Sequence, residues 1–173
     1  MYHMITTEIK LKELNIGFSS DIGAPIPVVL ASEYKVHLLF YISKQNPGFD
    51  GLSVNIRDES EDIDVALITF TNYASYKFGM PNDEAIEGHP YYAFGLSPYS
   101  FFEVKNSDWI KQLEQINSVH EHHNKELFNK YKHFIFFFHD SNFECVAESF
   151  IVDKLDMTMR QAVEKIACEL CIL

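Results

Sequence analysis

The clearest periodic signal in the chain is EYKVHLLFYIS. Tyr34, Val36, Leu38, Phe40 and Ile42 fall on one face, and Lys35, His37, Tyr41 and Ser43 on the other, with Leu39 interrupting the polar side. Alternation with period two marks a strand with one buried face. IPVVLAS precedes it, and Ser32-Glu33 is short enough to serve as a hairpin turn. Leu52, Val54 and Ile56 alternate again, and VALITFTNY is apolar and β-branched, as a central strand is.

The alternation stops at GMPNDEAIEGHPYYAFGLSPYS, residues 79–100, with three Gly and three Pro. A connection of about 20 residues is long, since the median in compact domains is about 4–6. One helical turn is predicted inside it. Asn82 is a good N-cap, Asp83 and Glu84 suit the positive end of a helix, and Gly88 followed by Pro90 suits its stop. Its tyrosines and Phe94 imply that the loop packs down, either over a pocket near His120 and the 139–144 hairpin tip or as a cap on an open sheet edge.

YSFFEVKN reads as a strand leading into a helix. Ser107 caps that helix, Asp108 favours its first turn, and Trp109, Ile110, Leu113 and Ile116 form one apolar stripe. NSVHEHHN breaks it, and KELFNKY reads as a second short helix presenting Leu127, Phe128 and Tyr131. TMRQAVEKIACELC opens with Thr158 and Gln161 in capping-box spacing, with Met159, Val163, Ile166, Ala167 and Leu170 on its buried face. Runs of strands with inserted and terminal helices argue an α+β fold. The expected arrangement is a single domain over residues 1–173, its sheet mainly antiparallel, with two central inserted helices and a C-terminal helix.

HFIFFFHDSNFECVAESF, residues 133–150, reads as a hairpin. A two-residue turn at Ser141-Asn142 sets His139 opposite Glu144 and Phe138 opposite Cys145. Phe134, Phe136, Phe138, Cys145 and Ala147 then share an apolar side. His133, Ile135, Phe137, His139, Glu144, Val146 and Glu148 share the other. A three-residue turn, Asp140 to Asn142, places Glu144 among the phenylalanines instead, which costs roughly several kcal/mol unless the carboxylate is paired. The two-residue turn is therefore preferred. It makes Cys145 a core residue, and His139–Glu144 either a structural cross-strand pair or half of a site.

Composition narrows the classes. The chain is long enough to bury a core, and 47% apolar residues with 15 Phe exclude a disordered chain. No apolar run reaches the length of a membrane helix, and MYHMITTEIK lacks the basic start and apolar block of a signal peptide. Cys145, Cys168 and Cys171, odd in number and late in the chain, form no secreted disulfide framework, so a cytoplasmic location is expected. A net charge of −11 with no basic stripe excludes nucleic-acid binding. Six carboxylates against one Arg concentrate in residues 50–64, either a solvated acidic loop or a docking surface for a basic partner.

Candidate ligand-binding residues are Asp83, Glu84 and His89 on the long loop, His120 in HEHH, and His139, Asp140 and Glu144 around the hairpin turn. HEHH has no metal-site spacing, so a solvated loop is the simpler reading. CELC ends a helix, where the dipole raises a thiol pKa, so Cys168 and Cys171 are read as packing residues. No phosphate loop, nucleophile elbow or dinucleotide fingerprint is present, and neither a cofactor nor a metal is expected.

PNDEAIEGHP, FFEVKNSDWI, INSVH and HDSNFECVAE together resemble motifs of a family of small uncharacterised bacterial proteins, over about residues 27–150. The resemblance implies a bacterial, intracellular protein and carries no catalytic role. It also implies that the long loop, His120 and the hairpin turn belong to one feature. The functional expectation is a binding or interaction module with a protein partner at the acidic segment or a small-molecule ligand. The alternative is an enzyme or small-ligand binder whose site is built from His89, His120, His139 and Glu144. A structural subunit is a third class. A deep cleft lined by those histidines would favour the ligand site.

Overall fold

The computed structural model describes residues 8–43 and 64–171. Seven strands form one antiparallel sheet: β1 (Lys10–Glu13), β2 (Val28–Ala31), β3 (Lys35–Tyr41), β4 (Val65–Gly79), β5 (Phe101–Lys105), β6 (Lys132–Phe137) and β7 (Asn142–Leu155). Their order across the sheet is β1-β5-β6-β7-β4-β3-β2. Helices α1 (Asp108–Asn117) and α2 (Met159–Leu170) complete the α+β architecture, and among the described residues no helix is long and apolar enough to cross a membrane. The second inserted helix of the sequence reading is a 3-10 segment, Lys125–Lys130. The acidic stretch 50–63 and the alternation at Leu52, Val54 and Ile56 lie outside the described residues.

The sheet is strongly curled. Phe40 on β3 and Phe101 on β5 are four strand spacings apart, about 19 Å in a flat sheet, yet their rings lie 5.7 Å apart. Phe40 also meets Phe138 at 5.1 Å. The concave face holds the main core: Val36, Leu38, Phe40, Phe70, Phe134, Phe136, Phe138, Phe143 and Cys145 are buried together. Residues 14–20 close the curl. Leu14 N donates to Phe101 O at 2.8 Å, Ser43 N donates to Ser19 O at 2.9 Å, and Ser20 bridges to Ile42.

The convex face carries two smaller cores. α2 lays Met159, Ala162 and Ile166 on Leu39, Val65 and Leu67, which explains why Leu39 breaks the alternation: both faces of β3 are covered. The Thr158–Gln161 capping box forms as the spacing predicts. Residues 79–100 lay Ile86, Tyr91 and Leu96 on Phe102, Val104, Ile135 and Phe137. Within that loop Asp83–Gly88 is a 3-10 turn capped by Asn82, whose side chain accepts from Ala85 N.

Several local expectations are corrected. The β6–β7 register is Ile135 opposite Glu144 and Phe137 opposite Asn142, with a four-residue turn, Phe138 to Ser141. This is four positions from the expected pairing. The shift is even, so every side chain stays on its expected face, and Cys145 is buried with the phenylalanines. His139 does not face Glu144. The physical reason is that Asn142 is drawn into β7, paired with Gly79 and bonded through Nδ2 to Pro81 O, so the turn forms ahead of it. The β2–β3 turn is tipped by Glu33-Tyr34, with Ser32 N donating to Lys35 O at 2.9 Å. α1 packs by its first turn: Trp109 is buried, whereas Ile116 is 71% exposed. Cys168 and Cys171 are exposed thiols.

Two outcomes follow from this packing. Phe40→Ala removes the ring that joins the two limbs of the curl and should cost about 3–5 kcal/mol in urea unfolding; a loss under about 1 kcal/mol would show that the limbs are held otherwise. A thiol dye on native protein should label Cys168 and Cys171 quickly and Cys145 only on unfolding.

Candidate functional site

Glu144 lies on β7 with its side chain on the convex face, because its neighbours Phe143 and Cys145 fill the concave core. A carboxylate there is buried and must be partnered. His133, placed diagonally on β6, supplies Nε2 at 2.9 Å from Glu144 Oε2. Lys77, directly across on β4, brings Nζ to 3.7 Å from Oε1, and His89 from the long loop brings Nε2 to 3.9 Å. His133 Nδ1 is 2.9 Å from Ser107 Oγ. The arrangement satisfying all these groups has Ser107 donating to Nδ1 of a neutral His133, whose Nε2–H donates to Glu144. Ser107 Oγ also accepts from Ile110 N as the cap of α1. Trp109 stacks edge-on to His133 at 5.1 Å, and Lys77 Nζ lies 3.8 Å above the Trp109 ring.

The ionisation follows the burial. Desolvation is the largest effect on His133 and His89 and lowers both below the ordinary histidine value. Desolvation is also the largest effect on Glu144 and pushes it up. His133, Lys77 and His89 together outweigh it, so the carboxyl titrates below its usual value. A charged Glu144 held by neutral imidazole donors and one ammonium is therefore the state near neutrality.

Ser107, His133 and Glu144 run in the order hydroxyl, imidazole, carboxylate, as in acyl-transfer triads. The chemistry does not carry over. The ring is reversed, with the carboxylate on Nε2. Ser107 is buried and its oxygen is engaged as a helix cap. The network instead ties α1, the long loop, β4, β6 and β7 together at one point.

A second group forms at the hairpin turn. Asp83 Oδ2 accepts from Tyr99 OH at 2.5 Å and from His139 Nδ1 at 2.9 Å. Asp83 N donates to His139 O at 2.9 Å, and Asn142 Nδ2 donates to Pro81 O at 3.1 Å. The long loop is thus laced to the hairpin tip. The hydrogen bond from Tyr99 is the largest effect on Asp83 and, with that from His139, lowers its carboxyl. Desolvation and then Asp83 push Tyr99 up to about 12. The Asp83 bond raises His139.

The seven candidate residues are therefore divided. His89 and Glu144 meet in the buried network, Asp83 and His139 meet at the turn, and Glu84 and Asp140 are exposed beside it. His120 is exposed in its own corner, where Nδ1 accepts from His122 N at 3.1 Å. No described contact joins it to either group. Two surface cavities, of about 310 and 990 Å³, are lined by other residues, with Tyr99 alone of the two groups reaching the larger. Among the described residues no set of three or more His, Cys, Asp or Glu side chains is arranged to hold a metal ion. No family model, curated protein or solved structure matches the chain.

His133 is the residue that the sequence reading passed over. Its signal was present: it shares a face with Glu144, and diagonal neighbours across an antiparallel pair are within reach of long side chains. Lys77 and Tyr99 had no such signal, because their partners come from the pairing of β4 with β7 and from the path of the loop.

The histidines should separate on titration. Followed by the ring proton signals, His139 should protonate above pH 6.5, and His133 and His89 below it. The unfolded chain takes up protons near pH 6.5 at positions 133 and 89 before the folded one does, so this contribution to stability is lost as pH falls below that value. His139 acts in the opposite sense: its contribution is present at low pH and disappears as pH rises through its raised pKa. Equal titration of His133 and His139 would contradict the assigned network. Glu144→Gln should lower the His133 pKa further, because the carboxylate opposes the desolvation, and lower the melting temperature. Loss of a buried partner of this kind costs about 3–5 kcal/mol.

Proposed function

We propose that the protein is a binding module that accepts an extended segment of a partner as an added strand on the open edge of β4. The observation that carries this reading is the stagger of the sheet. β4 pairs with β3 only up to Thr71, while its pairing with β7 continues to Gly79. Among the described residues, Ser75–Gly79 has no strand on its other side. The edge is exposed and apolar: Tyr76 is 38%, Phe78 45% and the following Met80 92% exposed. Natural sheet edges are normally shielded by charge, proline or a short length. Here the only charged side chain in the run, Lys77, is turned to the convex face and engaged with Glu144 and Trp109. The β-bulge between Tyr73 and Ser75 ends before the regular run begins.

Strand addition draws affinity from main-chain hydrogen bonds and selectivity from alternate side chains. Catalysis is the weaker reading, because His89, His133 and Glu144 are buried and engaged with one another and with Ser107. An acidic docking surface at residues 50–64 and an intracellular bacterial setting are compatible with the proposal and belong to it as expectations.

The test is capture of a partner from the native host. Wild-type protein should retain one, Phe78→Lys should lose it while keeping its melting temperature, and His120→Ala should retain it. Undiminished capture by Phe78→Lys would remove the edge as the binding surface.

A further inference from the structure

The open edge is neutral, but its two ends are not. At the Tyr73 end a groove of about 310 Å³ has Glu33, Tyr34, Lys130 and Glu148 on its walls. Lys130 is bound to Glu148 at 2.6 Å, which leaves Glu33 uncompensated in that groove. At the Gly79 end the pairing with Asn142 brings in the hairpin turn and the start of the long loop. Those two segments carry the carboxyl groups of Asp83, Glu84 and Asp140, of which Asp83 is bonded to His139 and Glu84 and Asp140 are exposed. Between the two ends, Tyr76 and Phe78 lie opposite Cys145 and Phe143, residues of the concave core, and so extend that apolar face past the end of β3.

From this pattern we infer that the occupant of the β4 edge is a cationic extended segment of another protein, with alternating apolar residues at its centre and Lys or Arg at both ends. The inference rests on the strand-addition reading and names the partner's chemistry. Three features select it. The backbone of Ser75–Gly79, unpaired on that side among the described residues, accepts a strand and no compact shape. The exposed Tyr76 and Phe78 on one face require apolar side chains at alternate positions of that strand. The carboxylates at both ends, on a chain of net charge −11, attract basic flanks and steer a cationic partner during encounter. The same charge opposes a second copy of this chain on the edge, since two such molecules repel at long range.

The experiment uses the full chain and two synthetic peptides sharing one alternating Val/Thr core, one with Lys pairs at both ends and the other with Glu pairs. Hydrogen exchange of the amides of residues 75–79 is the readout, with sedimentation of the protein alone as a second measurement. The Lys-flanked peptide should slow exchange across that run. Its affinity should fall as salt shortens the screening length from about 30 Å at 0.01 M to about 8 Å at 0.15 M. The Glu-flanked peptide should bind about tenfold or more weakly than that. Phe78→Ser, which removes the apolar anchor without adding charge, should weaken the Lys-flanked peptide by about tenfold. Equal protection by both peptides would overturn the cationic partner and leave strand addition standing. No protection by either, with a concentration-dependent dimer abolished by Phe78→Ser, would replace the partner with a second copy. No protection and a monomer at all concentrations would overturn both the partner and the edge reading.

Discussion

Phe40 must reach Phe101 and Phe138, and most of the architecture follows from that contact. A sheet with this many phenylalanines on one face either exposes them or rolls up around them, and burial of each is worth about 1.5–3 kcal/mol. Rolling brings β3 toward β5 and leaves an opening, which residues 14–20 close through a backbone bond from Leu14 to Phe101 on one side and one from Ser43 to Ser19 on the other. The two long strands at the centre of the curl, β4 with 15 residues and β7 with 14, are each about twice the length of their outer neighbours β3 and β6. β3 and β6 therefore occupy opposite ends of the central pair. The uncovered half of β4 is a direct consequence of that stagger.

The convex face answers a different constraint. One charged side chain, Glu144, is placed there by the strand alternation that puts Phe143 and Cys145 in the concave core. Alternation leaves it no other side to face. The cost of burying it is offset by recruiting His133 from the adjacent strand, Lys77 from the opposite one and His89 from the long loop, with Ser107 holding the imidazole from the start of α1. Polar networks of this kind specify an arrangement because each member loses its partner if an element shifts. The connection after β4 is long because it has to cross two strands of the sheet, deliver His89 and Tyr91 to this network, and return to Asp83–His139–Tyr99 at the hairpin tip.

This division between enclosed chemistry and open backbone shapes the functional reading. His89, His133 and Glu144 are enclosed and bonded to one another or to their neighbours. The surface that is unsatisfied is made of peptide groups and aromatic side chains between two acidic ends. That surface is what supports the proposal of an extended polypeptide partner over a small substrate.

Periodicity and capping signals by themselves determined the strand cores around Val36–Ile42 and Val65–Phe70, the caps at Asn82, Ser107 and Thr158, the antiparallel α+β class and the burial of Cys145. These depend on neighbours within a few residues or on the parity of a strand, and parity survives even when a register slips by an even number. The sequence could not determine the slip itself, because the β6–β7 turn was set by the pairing of Asn142 with Gly79 and its bond to Pro81 O, contacts distant along the chain. Nor could it show that His89 joins Glu144 while His139 joins Asp83, or that His120 stands apart. These pairings link residues 55 and 56 positions apart along the chain, and only the curl of the sheet and the path of the loop over it bring such distant side chains within hydrogen-bonding or electrostatic range. The open edge of β4 was hidden for the same reason: a strand's sequence describes its two faces, whereas its edges are described only by which strands lie beside it.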